Sequence, residues 1–139
     1  MIEKDLMQYL QKNTNLTTKL GGTGKIYSIQ APTSAVMPWL IIEPTGGSRD
    51  RIGATKGEAV NMVRIGVDAA PSQWITGREA IEYARVALEN LRGTIGDASD
   101  IVITVGEISG YPGLNGAYRY SFSATCKYTY NWNTQQPST

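Results

Sequence analysis

The sequence predicts an α+β domain: a largely antiparallel sheet of four to five strands with helices packed on one face. Three observations carry this. Apolar residues recur at helical spacing near the N-terminus and again over Thr76–Leu91, strict alternation marks a strand at Tyr118–Tyr130, and short β-rich runs bounded by Gly and Pro fall between them. The resulting order is helix, strand, strand, long loop, strand, helix, strand, strand.

Ile2, Leu6, Tyr9 and Leu10 recur at helical spacing with Glu3, Lys4, Gln8 and Gln11 between them, so the chain opens with an amphipathic helix. Asn13, Thr14 and Asn15 interrupt it. Leu16 and Leu20 then resume the spacing, and Gly21-Gly22 supply the left-handed residue that ends a helix. Lys25–Ile29 and Trp39–Glu43 are β-rich runs joined by the loop Gln30–Pro38, whose Pro32 and Pro38 suit strand starts and edges. Residues 44–58 hold four glycines, five charges and one large apolar residue, Ile52, which predicts a long solvated loop or a mobile hairpin arm. Over Asn61–Ala69, Val63, Ile65, Val67 and Ala69 alternate with Arg64, Gly66 and Asp68 as a half-buried third strand.

Pro71 stops that strand, and Thr76-Gly77-Arg78-Glu79 fits a capping box, so a helix starts at or shortly before Thr76. Ile81, Ala84, Leu88 and Leu91 form its apolar stripe, Arg78, Glu82, Arg85 and Glu89 its charged row, and Arg92-Gly93 its close. Ile101, Ile103 and Val105 alternate with Val102 and Thr104 in a fourth strand, after which Gly106–Gly116 reads as a loop. In the last strand Tyr118, Tyr120, Phe122, Ala124, Cys126, Tyr128 and Tyr130 share one parity, opposite Arg119, Ser121, Ser123, Thr125, Lys127 and Thr129. One face should be packed and the other wet. A single domain is expected over residues 1–130, with a polar tail over 131–139.

Composition narrows the function. Thirteen Lys and Arg against 12 Asp and Glu leave a net charge of +1, so no single-sign field steers the chain to nucleic acid or an acidic membrane. Histidine is absent, which removes the commonest zinc ligand and the usual base for a Ser or Cys nucleophile. The lone Cys126 cannot form a disulfide within the chain, which suits a reducing compartment. Met1–Asp5 carry three charges and lead into no continuous apolar stretch, so no signal peptide is expected, and the longest apolar run, Ala35–Ile42, is broken by Pro38 and far short of the ~20 residues that span a bilayer. The expectation is a soluble, non-secreted chain that is no enzyme and needs no cofactor.

Particular sites point the same way. Gly21-Gly22-Thr23-Gly24-Lys25 lacks the glycine and the hydroxyl residue of a phosphate loop, with Lys19 and Ile26 in their places, and reads as a helix-ending turn. Asp97 and Asp100 bracket Ala98-Ser99 with no third metal ligand nearby in sequence. Cys126, on the packed parity, reads as a small hydrophobe, and the tyrosine row as core or subunit interface rather than a stacking platform for single strands. The arm over Thr45–Glu58 is the open candidate: Arg49, Asp50, Arg51 and Lys56 offer complementary charge to a neighbouring subunit, and Ile52 an apolar anchor.

The whole pattern resembles the tail completion or tail-terminator proteins of long-tailed bacteriophages. The likeness runs from the helix ending at Leu20-Gly21-Gly22, through Lys25-Ile26-Tyr27 and the proline-led strand Pro38–Ile42, to the Gly-rich arm, the strand Met62–Asp68, the helix Thr76–Leu91 and the tyrosine-rich closing strand. It implies a structural virion protein, assembled in the host cytoplasm, that forms a ring, typically a hexamer, on the head-proximal end of the tail. There it would cap the tube protein, end polymerisation and meet the head-neck connector, while DNA passes through without specific binding. The alternatives are another neck component, such as a head-closure or stopper protein, or a small histidine-free enzyme or ligand-binding domain.

Overall fold

The computed structural model describes residues 2–51, 56–96, 98–112 and 116–131. Among these lie three α-helices, α1 (Ile2–Gln11), α2 (Thr14–Leu20) and α3 (Trp74–Glu89). The strands are β1 (Ile26–Ser28), β2 (Trp39–Arg51), β3 (Lys56–Ala69), β4 (Gly93–Ile95), β5 (Ala98–Val105), β6 (Ser109–Pro112) and β7 (Tyr118–Asn131).

The strands form one seven-stranded sheet in the order β1-β2-β3-β7-β5-β4, with β6 also paired to β7. The α+β class and the mostly antiparallel pairing are as the sequence predicts, but the count of four to five strands is corrected to seven. The extra strands have a common cause. β4 and β6 hold three and four residues, too few for a pattern of their own, and exist because β5 and β7 present ladder partners. Because β1 pairs parallel with β2, the loop over residues 29–38 carries the chain from the end of β1 back to the end of the sheet at which β1 starts.

All three helices pack on one face. Their apolar stripes, Ile2, Leu6 and Leu10 of α1, Leu16 and Leu20 of α2, and Ile81, Ala84 and Leu88 of α3, form one core with Leu40 and Ile42 of β2, Val63, Ile65 and Val67 of β3, and Phe122, Ala124 and Cys126 of β7. Asn13 caps α2 by accepting from the Leu16 N–H at 3.0 Å, and Gly21, at φ 91°, closes it in the left-handed region. The Tyr9 hydroxyl donates to the Ala87 carbonyl at 3.2 Å and so ties α1 to α3.

The helix α3 starts shortly before Thr76, as expected, but the capping box expected at Thr76 is not its cap. Thr76 lies inside the helix, which begins at Trp74 after a 3-10 turn over Pro71–Gln73. Gln73 takes the anchoring role: its Oε1 accepts from the Ala70 N–H at 3.2 Å and its Nε2 donates to the Met37 carbonyl at 3.3 Å. Gly77 has a separate reason to be glycine, since a Cβ there would stand 2.7 Å from that of Ala69. The helix can lie this close to β3 only without a side chain. The charged row pairs as the spacing implies, Arg78 with Glu82 at 3.2 Å and Arg85 with Glu89 at 3.6 Å, and Arg92 donates back to the Glu89 carbonyl at 2.9 Å.

Candidate interaction surfaces

Of the segment over residues 44–58, the described parts, 44–51 and 56–58, are strand, paired as the two sides of an arm, while 52–55 lie outside the described residues. β2 continues past an irregularity between Pro44 and Gly46, and its pairing with β3 runs on to Arg51 opposite Gly57. β3 is paired in turn along its whole length with β7, so the arm is the distal part of a three-stranded ladder. The expectation of a third strand starting at Asn61 is therefore corrected to Lys56. Gly47 explains part of the glycine content: at φ 156°, a Cβ would fall 2.5 Å from the Val60 carbonyl oxygen.

The fold brings the backbones of Arg49, Asp50, Arg51 and Lys56 to one end of the sheet, while Ile52 lies outside the described residues. Arg49 is not a free charge. Its guanidinium lies 4.6 Å from the centroid of Tyr130, whose ring meets Tyr128 edge-on at 6.4 Å, and the Tyr128 hydroxyl donates to Asn61 Oδ1 at 2.7 Å. Tyr128 and Tyr130 are buried core residues on the same rungs as Arg49 and Arg51 of the arm. Burial pushes the Tyr128 phenol up from its ordinary range, against the opposing effect of Arg49. Arg49→Ala is expected to lower stability by about 0.5–1 kcal/mol in denaturant melts, the worth of an exposed cation–π contact.

The opposite face of the sheet is wet only in part. At the end near Ala69 it buries Asp68 and Ser121, because β6 and the loop over residues 29–38 flank it. Asp68 is the centre of a network between strands. Arg119 donates to both of its oxygens, Nε and one terminal nitrogen each at 2.6 Å, and Trp39 Nε1 donates to Oδ2 at 2.8 Å. Glu43 stands 3.5 Å from the same guanidinium. The hydrogen bonds to Asp68 hold the Arg119 pKa above its ordinary value, outweighing burial, which acts the other way. Beside this network is a groove of about 590 Å³ lined by Met37, Trp39, Ile41, Tyr111, Pro112 and Ala117. Sequence reasoning missed it because Asp68 and Arg119 each read as ordinary wet-face residues.

The remaining candidates fall into place singly. Gly21–Lys25 is the helix end and a 3-10 turn leading into β1. Asp97 lies outside the described residues, and Asp100, at φ 52°, sits in β5 where its pairing with β7 shifts register. Among the described residues no His, Cys, Asp and Glu cluster could hold a metal ion, and no helix is long and apolar enough to cross a membrane. Cys126 is fully buried in the core, and desolvation, with a smaller effect of Glu3, pushes its thiol up from 9.0 to about 12. It should resist iodoacetamide at pH 8 in the native state and react once the chain is unfolded, read by mass spectrometry. The sign for stability follows: the unfolded thiol ionises first, so the contribution of the buried neutral thiol is intact below about pH 9 and is lost as pH rises toward about 12.

These surfaces belong to a helix-backed sheet with a charged arm at one end and a groove toward the other. No protein-family model matches the chain, and no curated protein matches it. Among solved structures, the fold is shared with a chain in the virion of a native gene transfer agent (GTA) particle, with a TM-score of 0.67 and 15% sequence identity over 91% of this chain and 93% of that one.

Proposed function

We propose that this chain is a structural, non-enzymatic protein of a phage-like virion, and that it caps the head-proximal end of the tail tube as a ring, ending tube polymerisation and enabling head-tail joining. The observation that carries the reading is the fold shared with the GTA virion chain over nearly the whole of both chains. Its partners are further copies of itself, in a ring read as a hexamer, the tube protein, and the head-neck connector. DNA passes through unbound, as a near-neutral chain allows.

Electron microscopy of particles made with and without the protein tests this. Loss of a terminator leaves tubes of irregular length and no joined heads. Normal-length tails lying free of heads would instead make it a head-closure or stopper protein, and intact particles would remove it from the neck.

The arm supplies a second test. Arg51→Glu is expected to leave the melting temperature nearly unchanged yet to weaken docking on tube ends. Adding Arg49→Glu should lower the melting temperature slightly as well, through its loss from the Tyr130 ring. Normal tail completion by the double variant at wild-type protein level would reduce the arm to an ordinary hairpin.

A further inference from the structure

We propose that the groove beside Asp68 and Arg119, with the uncharged apolar surface around it, docks an uncharged, apolar segment of the head-neck connector, while the arm at the other end of the same strands meets the tube. This rests on the tail-capping reading above and names the surface used on the side away from the tube.

Exposed apolar side chains are not spread evenly over the chain. Among the described residues nine large ones are exposed, and six of them, Ile29, Val36, Trp74, Ile75, Tyr111 and Tyr118, gather around this groove. Ile29 and Tyr111 line it. Val36 precedes Met37, another lining residue, whose carbonyl accepts from Gln73 just ahead of Trp74 and Ile75. Tyr118 pairs with Pro112 between β7 and β6. A concentration of this kind marks a surface that another chain covers.

Ile29 adds an independent sign. It is β-branched, yet it holds φ 72°, in a turn closed by the Gln30 N–H donating to the Ser28 carbonyl at 2.8 Å. That conformation is strained for such a residue. Its side chain is 63% exposed, so burial within this chain does not offset the strain, whereas cover from a partner would.

Charge says which partner fits. Residues 26–42 and the strand β6 contain no Asp, Glu, Lys or Arg. The ionic pair among the lining residues is internal, since both Asp68 oxygens accept from Arg119 and one of them from Trp39 as well. A partner's charge brought into this groove would lose its water with little in return. What Arg119 retains is part of a five-donor fork whose charge Asp68 already balances, which suits a neutral main-chain carbonyl.

Another copy does not supply this. Its arm would bring Arg49, Arg51, Lys56 and Glu58. Its exposed Val86 stands among Arg78, Glu82, Arg85 and Glu107, and its Val102 lies opposite Lys127. Among the described residues there is thus no second uncharged apolar patch to meet this one, and the patch set against itself closes as a two-fold pair that builds no ring. From Tyr118 to Asn131 the strand β7 covers about 43 Å at roughly 3.3 Å per residue, enough for the groove and the arm to meet partners on opposite sides of a ring.

Three substitutions at exposed positions test this in assembling particles. Ile29→Asn removes the apolar side chain and places at φ 72° a residue that tolerates it, so the melting temperature should hold or rise. Val36→Glu puts a charge at a position 70% exposed. With either variant, electron microscopy should show tails of normal length carrying the protein and at least about tenfold fewer joined particles. Val86→Glu, 50% exposed on α3, is the control and should join heads as the wild type does. Wild-type joining by both Ile29→Asn and Val36→Glu overturns the docking surface. Tubes of irregular length with these variants would mean that the patch meets the tube or another copy, and would overturn the choice of partner. Irregular tubes on deletion of the protein, together with wild-type joining by both variants, keep the capping reading and sink only this surface, whereas intact particles on deletion sink both.

Discussion

Leu88→Ala is expected to cost about 2–5 kcal/mol of folding stability, the range for truncating a fully buried leucine whose cavity cannot collapse. Leu88 is 0% exposed and lies in the core between α3 and the sheet, with Ile81 and Ala84 also buried on its own helix. Gly77 seats α3 directly on β3, which leaves little room for the helix to settle into a cavity. Urea melts with an unchanged slope give the value. A loss below about 1 kcal/mol would mean that the helix does not pack on the sheet through this stripe.

Asp68→Ala comes next, with an expected loss of about 2–4 kcal/mol, between that of a buried hydrogen bond left unmade and that of a buried ion pair broken from one side. The substitution leaves the Trp39 N–H and most of the Arg119 fork without their acceptor, on three adjacent strands at once. Asp68→Asn should cost less, because an amide oxygen can still accept one of these bonds. Glu43→Gln should cost under about 1 kcal/mol, since Glu43 reaches Arg119 only at 3.5 Å and is partly exposed. If Asp68→Ala and Glu43→Gln cost the same, the network is an exposed charge cluster and no bidentate pair.

What was legible in the sequence is what depends on local period. The stripe Ile81, Ala84 and Leu88 and the single parity from Phe122 to Tyr130 are written by one element's own geometry, and all these residues on the core side are buried; Leu91 is buried too, but just past the helix, which ends at Glu89 and not at Leu91 as expected. The hairpin arm is different. Gly46, Gly47 and three consecutive charges from Arg49 to Arg51 read as solvated loop, yet β3 and β7 supply the ladder that holds them extended. The Asp68–Arg119 pair joins residues 51 positions apart, and no pattern within either strand announces it. Arg49 illustrates the same limit, since its charge was legible and the Tyr130 ring beneath it was not. The virion resemblance drew on the order of elements, and the shared fold answers to that order rather than to any short motif.

The pairing of β3 with β7 is unbroken from Lys56 opposite Asn131 to Ala69 opposite Tyr118, with no bulge anywhere along it. A load applied to β3 at Lys56 and directed along the strands would therefore be shared by many hydrogen bonds in parallel, in shear. The same load turned across the strands would open the ladder one rung at a time from the free end. This ladder is thus expected to resist load along its length better than across it. A subunit built this way transmits tension along the strand axis straight into the helix-backed core.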